Sequence, residues 1–106
     1  MSSPDPHARV FAALGDRTRL SLLVKLSDGQ TQSIVRLAGN TRLTRQAVTK
    51  HLRVLEKAGL VSSIRIGRES HFTYNAAPIA RAKSFLDTVS AQWDDALSRL
   101  RAHVER

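Results

Sequence analysis

Between Leu43 and Leu60 the apolar residues recur with a helical step. Val48, Leu52 and Leu55 are spaced by four and three, with Ala47 and Ala58 beside them, so they share one stripe of an α-helix. Thr44 stands where an N-cap belongs and Gly59 where the helix should stop. The other faces carry Arg45, Gln46, Thr49, Lys50, Arg53 and Lys57 against a single acid, Glu56. One side suits a core; the other offers donors and positive charge. Taken alone, such a segment is ordinarily a solvated basic helix. Its neighbours change that reading.

Upstream, the pattern predicts a polar tail over residues 1–6 and then three shorter helices. The first runs from about His7 to Leu14, with Val10, Phe11 and Leu14 on one face. Gly15 ends it and Asp16 caps the next, about Arg17 to Leu26, which is expected to bury Leu20 and Leu23, with Leu22 and Leu26 as further candidates. Asp28-Gly29 is a turn signal. Thr31 is expected to cap a third helix reaching about Ala38, with Ile34, Val35 and Leu37 turned inward and Gly39-Asn40 as its stop. The basic helix begins a few residues later. Two helices joined by a short turn, the second basic on its outer face, describe a helix-turn-helix over about residues 31–58.

After Gly59 the period becomes two. Ile64 and Ile66 alternate with Ser63 and Arg65, and beyond Gly67-Arg68-Glu69-Ser70, Phe72 and Tyr74 alternate with His71 and Thr73. This predicts a β-hairpin, a wing, over about residues 61–75. If Ile64 and Ile66 share a buried face with Phe72 and Tyr74, the loop must hold an odd number of residues. A loop of three pairs Ile64 with Phe72; a loop of five pairs it with Tyr74. Arg65 and Arg68 then project from the outer face or the tip, within reach of a phosphate backbone.

From about residue 77 to 104 the chain is again helical. Ala82, Leu86, Val89, Trp93, Ala96, Leu100 and Val104 form a stripe, flanked by Phe85 and Leu97. Such a stripe needs a covering surface. One small domain offers little, so pairing with a second copy is expected. Trp93 suits either an anchor of that pairing or a wall of an effector pocket between subunits. The expected fold is mainly α with a small hairpin, in the order α-α-α-α-β-β-α, a single winged-helix domain over residues 7–106.

Charge sharpens the picture. The 106 residues carry 17 Lys and Arg against 9 Asp and Glu, net +8. Residues 42–75 hold net +5 of this, against +2 before and +1 after. A basic patch confined to the helix and the hairpin is the footprint of a polyanion. An anionic membrane would instead select a basic helix with exposed large apolar residues, and here that stripe is assigned to the core. No cysteine occurs, which removes disulfides and thiolate chemistry. The N-terminus lacks the pattern of a secretory signal, and the expectation is a cytoplasmic protein.

The stretches ALGDRTRLSLL (Ala13 to Leu23) and LTRQAVTKHLRVLEKAGLV (Leu43 to Val61), with Gly67-Arg68 at a hairpin tip, resemble the ArsR family of winged-helix bacterial transcriptional repressors. The ending FLDTVSAQWDDALSRLRAHVE resembles a subgroup with an aromatic-Trp-acid pattern in its last helix rather than metal ligands. The resemblance implies a homodimer closed by the first and last helices, here through Val10, Phe11, Leu14, Leu86, Val89, Trp93, Leu97 and Leu100. It implies binding to a pseudo-palindromic double-stranded DNA operator, often relieved by a small-molecule or protein effector. Carried over by position, Arg45, Gln46, Thr49 and Lys50 would meet base edges or nearby phosphates. Thr44 and Arg53 would meet phosphates, and Arg65 and Arg68 the flanking backbone or minor groove. The chemistry agrees: Arg and Lys donate to guanine, Gln to adenine, and a Thr methyl contacts thymine.

Metal-sensing members carry cysteines in the third helix or paired Asp and His in the last. Here the third segment is Thr31-Gln32-Ser33-Ile34-Val35-Arg36, and Asp87 and His103 do not supply the four ligands. No metal or cofactor is expected. His7 and His103 could approach each other if the first and last helices pack together, a minor metal-site alternative set against the usual case of scattered surface histidines. His51 is expected to pack or to face a phosphate, and His71 to lie on the outer wing face. Asp94-Asp95 lacks a nucleophile or a glycine-rich loop, so no enzyme is expected. The alternative to an operator-binding regulator is a winged helix used as a protein-interaction module without its own operator.

Overall fold

The computed structural model describes residues 5–39 and 41–105. Residues 1–4 of the expected tail, Asn40 of the expected helix stop, and Arg106 lie outside the described residues. Helix α1 (Pro6–Leu14) begins with Pro6 in its first turn, and the Asp5 carboxylate accepts from the His7 N–H at 2.8 Å. Asp5 and Pro6, assigned to the tail by sequence, therefore open the helix, because a side-chain acceptor followed by proline is a helix start.

Helix α2 (Arg17–Leu26) is capped by Asp16, which accepts from the Arg19 N–H at 2.9 Å. It buries Leu22, Leu23 and Leu26, whereas Leu20, expected inside, is 47 % exposed. The inward face is centred on Leu22 and Leu26, and Leu20 falls beyond its margin. The third helix is shorter than the pattern predicts. Gln32–Ser33 forms a strand, β1, and only Ile34–Gly39 is helical, α3. The Ser33 hydroxyl, not that of Thr31, accepts from a first-turn N–H, that of Arg36 at 3.2 Å. Thr31 instead meets the Thr73 hydroxyl at 2.9 Å. Leu37 and Ala38 are buried, and Val35, expected inward, is exposed.

Helix α4 (Arg45–Lys57) follows the sequence reading closely. The Thr44 hydroxyl accepts from the Ala47 N–H at 3.1 Å, and Val48, Leu52 and Leu55 are fully buried. Its end is a Schellman motif: Leu60 N–H bonds to Leu55 C=O and Gly59 N–H to Glu56 C=O, with Gly59 at φ +79°. Leu60 is itself fully buried, which supplies the apolar contact that accompanies this motif.

Strands β2 (Val61–Ile66) and β3 (Glu69–Tyr74) form the wing, and β1 pairs with β3, giving an antiparallel sheet of order β1-β3-β2. The hairpin register corrects the expectation. Val61 opposes Tyr74, Ser63 opposes Phe72, Ile64 opposes His71 and Ile66 opposes Glu69, so the loop is the two residues Gly67 and Arg68. Gly67 has φ +61° and Arg68 does not have a positive φ; those signs match a type II′ turn, which suits the strand twist of a two-residue hairpin. An even loop puts Ile64 and Ile66 on the face opposite Phe72. They are 55 % and 52 % exposed, while Val61 and Phe72 are buried. The premise that both isoleucines seek the core fails because the wing extends past the core. Only its base is covered.

The core joins Val10 and Ala13 of α1, Leu22, Leu23 and Leu26 of α2, Leu37 and Ala38 of α3, the α4 stripe, Leu60, Val61, Phe72 and Ala82. The last of these lies on α5 (Ala77–Val104), which packs on α1. Phe85 lies 6.3 Å from the Phe11 ring and stacks on His7 at 4.6 Å. Beyond that contact α5 projects past the domain, and the chain measures 69 × 32 × 25 Å. The mainly α winged-helix architecture stands as expected, with β1 added before α3.

Candidate nucleic-acid interface

Burying Val48, Leu52 and Leu55 turns the opposite side of α4 to solvent. Arg45, Gln46, Lys50, Arg53 and Lys57 are exposed there, and Thr49 is half-buried. The Thr49 hydroxyl donates to the Arg45 carbonyl at 2.7 Å. Its proton is engaged within the helix, which leaves the methyl, and the oxygen as an acceptor, for an outside contact.

Arg45 and Thr49 line a cleft of about 330 Å³ whose other wall is the wing turn, Arg68, Glu69 and Ser70, and whose end is Ser33, Ile34 and Val35. The fold thus brings together Arg45, Thr49 and Arg68, which are far apart in sequence. Gln46, Lys50 and Arg65 are exposed but do not line that cleft. Ser33 and Ser70 join it without having been singled out from sequence. Their only sequence signal is a hydroxyl beside a turn, and β1, which carries Ser33, has no alternating pattern to announce it.

Arg53 is not a free surface cation. It donates to Glu56 at 2.8 Å and to the Ser63 hydroxyl at 3.3 Å, and it lies 5.4 Å from the centre of the Phe72 ring. Ser63 in turn donates to the other Glu56 oxygen at 2.5 Å. These bonds hold the Glu56 carboxyl below its ordinary range, the Ser63 hydroxyl first and the Arg53 guanidinium next. The arrangement ties the wing to α4. Ser63 is on the face of β2 that meets α4, and by the alternation of a strand Arg65 shares that face. Arg65 therefore does not project from the outer face, as the odd-loop register required.

The histidines separate. The His51 ring is mostly buried between α4 and α2, with Nδ1 3.5 Å from Arg19 and 3.8 Å from the Asp16 carboxylate, so it packs rather than facing outward. The Asp16 carboxyl is held below its usual value, chiefly by the Arg19 N–H that it accepts and also by the Arg19 and His51 charges. His71 lies on the outer wing face beside Ile64 and meets Glu69 at 3.1 Å. His7 stacks on Phe85 near the start of α5, about 27 Å along the helix from His103. Those two do not approach. Among the described residues no group of three His, Asp or Glu side chains could hold a metal ion.

A second surface is apolar. Leu86, Trp93, Leu97, Leu100 and Val104 are all at least half exposed along α5, and Val89 is half-buried. On α1, Phe11 and Leu14 pack partly against the core. Val10, expected at a dimer contact, is only 5 % exposed and belongs to the chain's own core. It lies on the side of α1 that faces inward with Ala13, three residues on, while Phe11 turns to α5. Among the described residues no helix is long and apolar enough to cross a membrane.

Comparison with known proteins gives the same architecture. The family model for bacterial regulatory proteins of the arsR family matches residues 16–63. An uncharacterized HTH-type transcriptional regulator of Bacillus subtilis (strain 168), YuzN, is 40 % identical across 66 % of this chain and 83 % of its own. An ArsR-like transcriptional regulator from Rhodococcus sp. RHA1 superposes with a TM-score of 0.78 at 38 % identity, over 90 % of this chain and 89 % of that one. The homodimeric winged helix-turn-helix DNA-binding domain Mb0332 from Mycobacterium bovis superposes with a TM-score of 0.65 at 25 % identity, over 87 % of this chain and 84 % of that one.

Proposed function

The chain belongs to the ArsR family of bacterial transcriptional regulators, and from that premise we propose that it is a homodimeric repressor of a pseudo-palindromic operator. Each protomer sets α4 into a major groove, and the two grooves are one helical turn, about 34 Å, apart. Arg45, Gln46, Thr49 and Lys50 read base edges or nearby phosphates; Thr44, Arg65 and Arg68 hold the backbone. Arg53 serves the same interface by fixing the wing against α4, with its remaining donors for a phosphate. Occupancy of the operator blocks a promoter.

The observation that carries this reading is the cleft in which Arg45 and Thr49 of α4 face Arg68 of the wing turn. Two cations from separate elements flank a groove beside an exposed polar helix face, which is the arrangement a duplex backbone needs. The homodimer is supported by the exposed stripe from Leu86 to Val104 and by the homodimeric state of the Mycobacterium bovis relative. A contiguous apolar patch of this kind is rarely left bare on a monomer.

Selection of bound fragments from genomic DNA, followed by footprinting, tests the proposal. The expected result is a protected site with two half-sites about 10 bp apart. Uniform binding to all fragments, or none at 50 mM salt, overturns it and favours a protein-interaction module.

A further inference from the structure

On the flank of α4, away from the cleft of Arg45 and Arg68, the helices α1, α2 and α4 border an open hollow of about 600 Å³. Its rim is Arg9, Arg19 and Lys57, one cation from each helix, and its floor includes Ala12, Ala13 and Val54. A smaller hollow of about 180 Å³ adjoins it, sharing Arg9 and Lys57 and adding Arg81. No acidic side chain lines either one. Nor does the larger hollow share a residue with the cleft of Arg45 and Arg68.

Solvated cations on a surface are common, but two features separate this place from one. Arg19 is stationed: it donates to the Ala13 carbonyl at 2.7 Å and the Ala12 carbonyl at 3.3 Å, and its side chain is only 19 % exposed. Its charge is balanced by the Asp16 carboxylate, 3.9 Å away, so Arg19 fixes the wall of the hollow while Arg9 and Lys57 supply the charge. Val54 is 41 % exposed on the otherwise polar side of α4, and it gives the hollow an apolar surface that inorganic ions do not use. A concave site with an apolar floor, a few convergent polar groups and a volume of about 300–1,000 Å³ is the usual form of a small-molecule pocket.

We propose that this hollow binds a small organic anion with a compact apolar body. Its charged end lies between Arg9 and Lys57, and its body rests on Val54 and Ala12. The site touches the recognition helix directly, through Val54, Lys57 and Ala58, and indirectly through Arg19, which stands 3.5 Å from His51 in the middle of α4. It is therefore an effector site whose occupancy changes the charge and packing of α4. That consequence for DNA binding rests on the function proposed above, whereas the binding itself does not.

The test is a titration of the full-length, isotope-labelled protein by NMR, without DNA, using benzoate, octanoate and inorganic phosphate. At least one carboxylate is expected to give saturable shifts at the amides of Ala12, Val54 and Ala58. Its affinity is expected to fall about tenfold in Arg9→Gln and in Lys57→Gln, as loss of one charge-assisted hydrogen bond implies. Both side chains are exposed, so the variants should fold. Absence of saturable shifts with both carboxylates, or equal affinity in the variants, overturns the proposal. Phosphate binding as tightly as the better carboxylate overturns it too, since the apolar floor then contributes nothing.

Discussion

The Ser63 hydroxyl on the wing donates to the Glu56 carboxylate on the recognition helix at 2.5 Å. It is a hydrogen bond between the two elements that, on the function proposed above, grip one duplex together. Arg53 closes the same network from the helix side, so the angle between helix and hairpin is set by side chains as well as by the shared core.

Removing that link should loosen the wing. Ser63→Ala is expected to cost about 1 kcal/mol at pH 7, the size of a single hydrogen bond to a partly exposed charged group. The Glu56 pKa is depressed in the folded chain, so its contribution is present above the ordinary carboxylate value and is lost as pH falls through the lower folded value. Urea melts of the parent and the variant should therefore differ at pH 7 and converge in acid.

Base readers and backbone cations separate by how they fail. Arg45→Ala is expected to lose about 1–3 kcal/mol of discrimination at the base it meets. Arg68→Ala, at the wing turn, should weaken all sequences alike and lower the salt slope by about 1. Competition binding against single-base operator variants, repeated across a salt series, distinguishes the two. Unchanged operator preference in Arg45→Ala would remove Arg45 from the readers.

Trp93 is 64 % exposed in the single chain, so truncating it creates no cavity in the core. Trp93→Ala should leave the fold intact by circular dichroism. It should weaken dimerisation by about 2 kcal/mol or more, as for a buried aromatic anchor. Sedimentation over a concentration range reads the shift. A variant that associates as tightly as the parent would place the dimer contact elsewhere.

The wing register separates the stability costs at Phe72 and Ile64, which the sequence expectation placed together on one buried face. Phe72 is fully buried and Ile64 is 55 % exposed. Phe72→Ala is expected to cost about 3–5 kcal/mol, whereas Ile64→Thr should stay within about 0.5 kcal/mol, since a surface strand position accepts another β-branched residue. Chemical denaturation of both variants decides it.

Much of this molecule is written in local pattern. The step of Val48, Leu52 and Leu55, the Thr44 cap and the Gly59 stop determine α4 without reference to the rest of the chain, because capping and a 3.6-residue period are properties of neighbouring residues. The polarity of the opposite face, and so the presence of Arg45, Gln46 and Lys50 on it, follows from that same stripe. What alternation could not settle is which face of a hairpin is covered: a period of two labels two faces and ranks neither. Only the packed molecule showed that Phe72 meets the core while Ile64 and Ile66 pass beyond it, and that Gly67 and Arg68 alone make the turn. The same holds for β1, whose two residues exist as a strand only because β3 lies beside them, for the cleft that Arg45 and Arg68 both line, and for the hollow that Arg9 and Lys57 both line. Those groupings join residues distant in the chain, and distance in space is fixed by how the elements pack, not by the spacing of letters along any one of them.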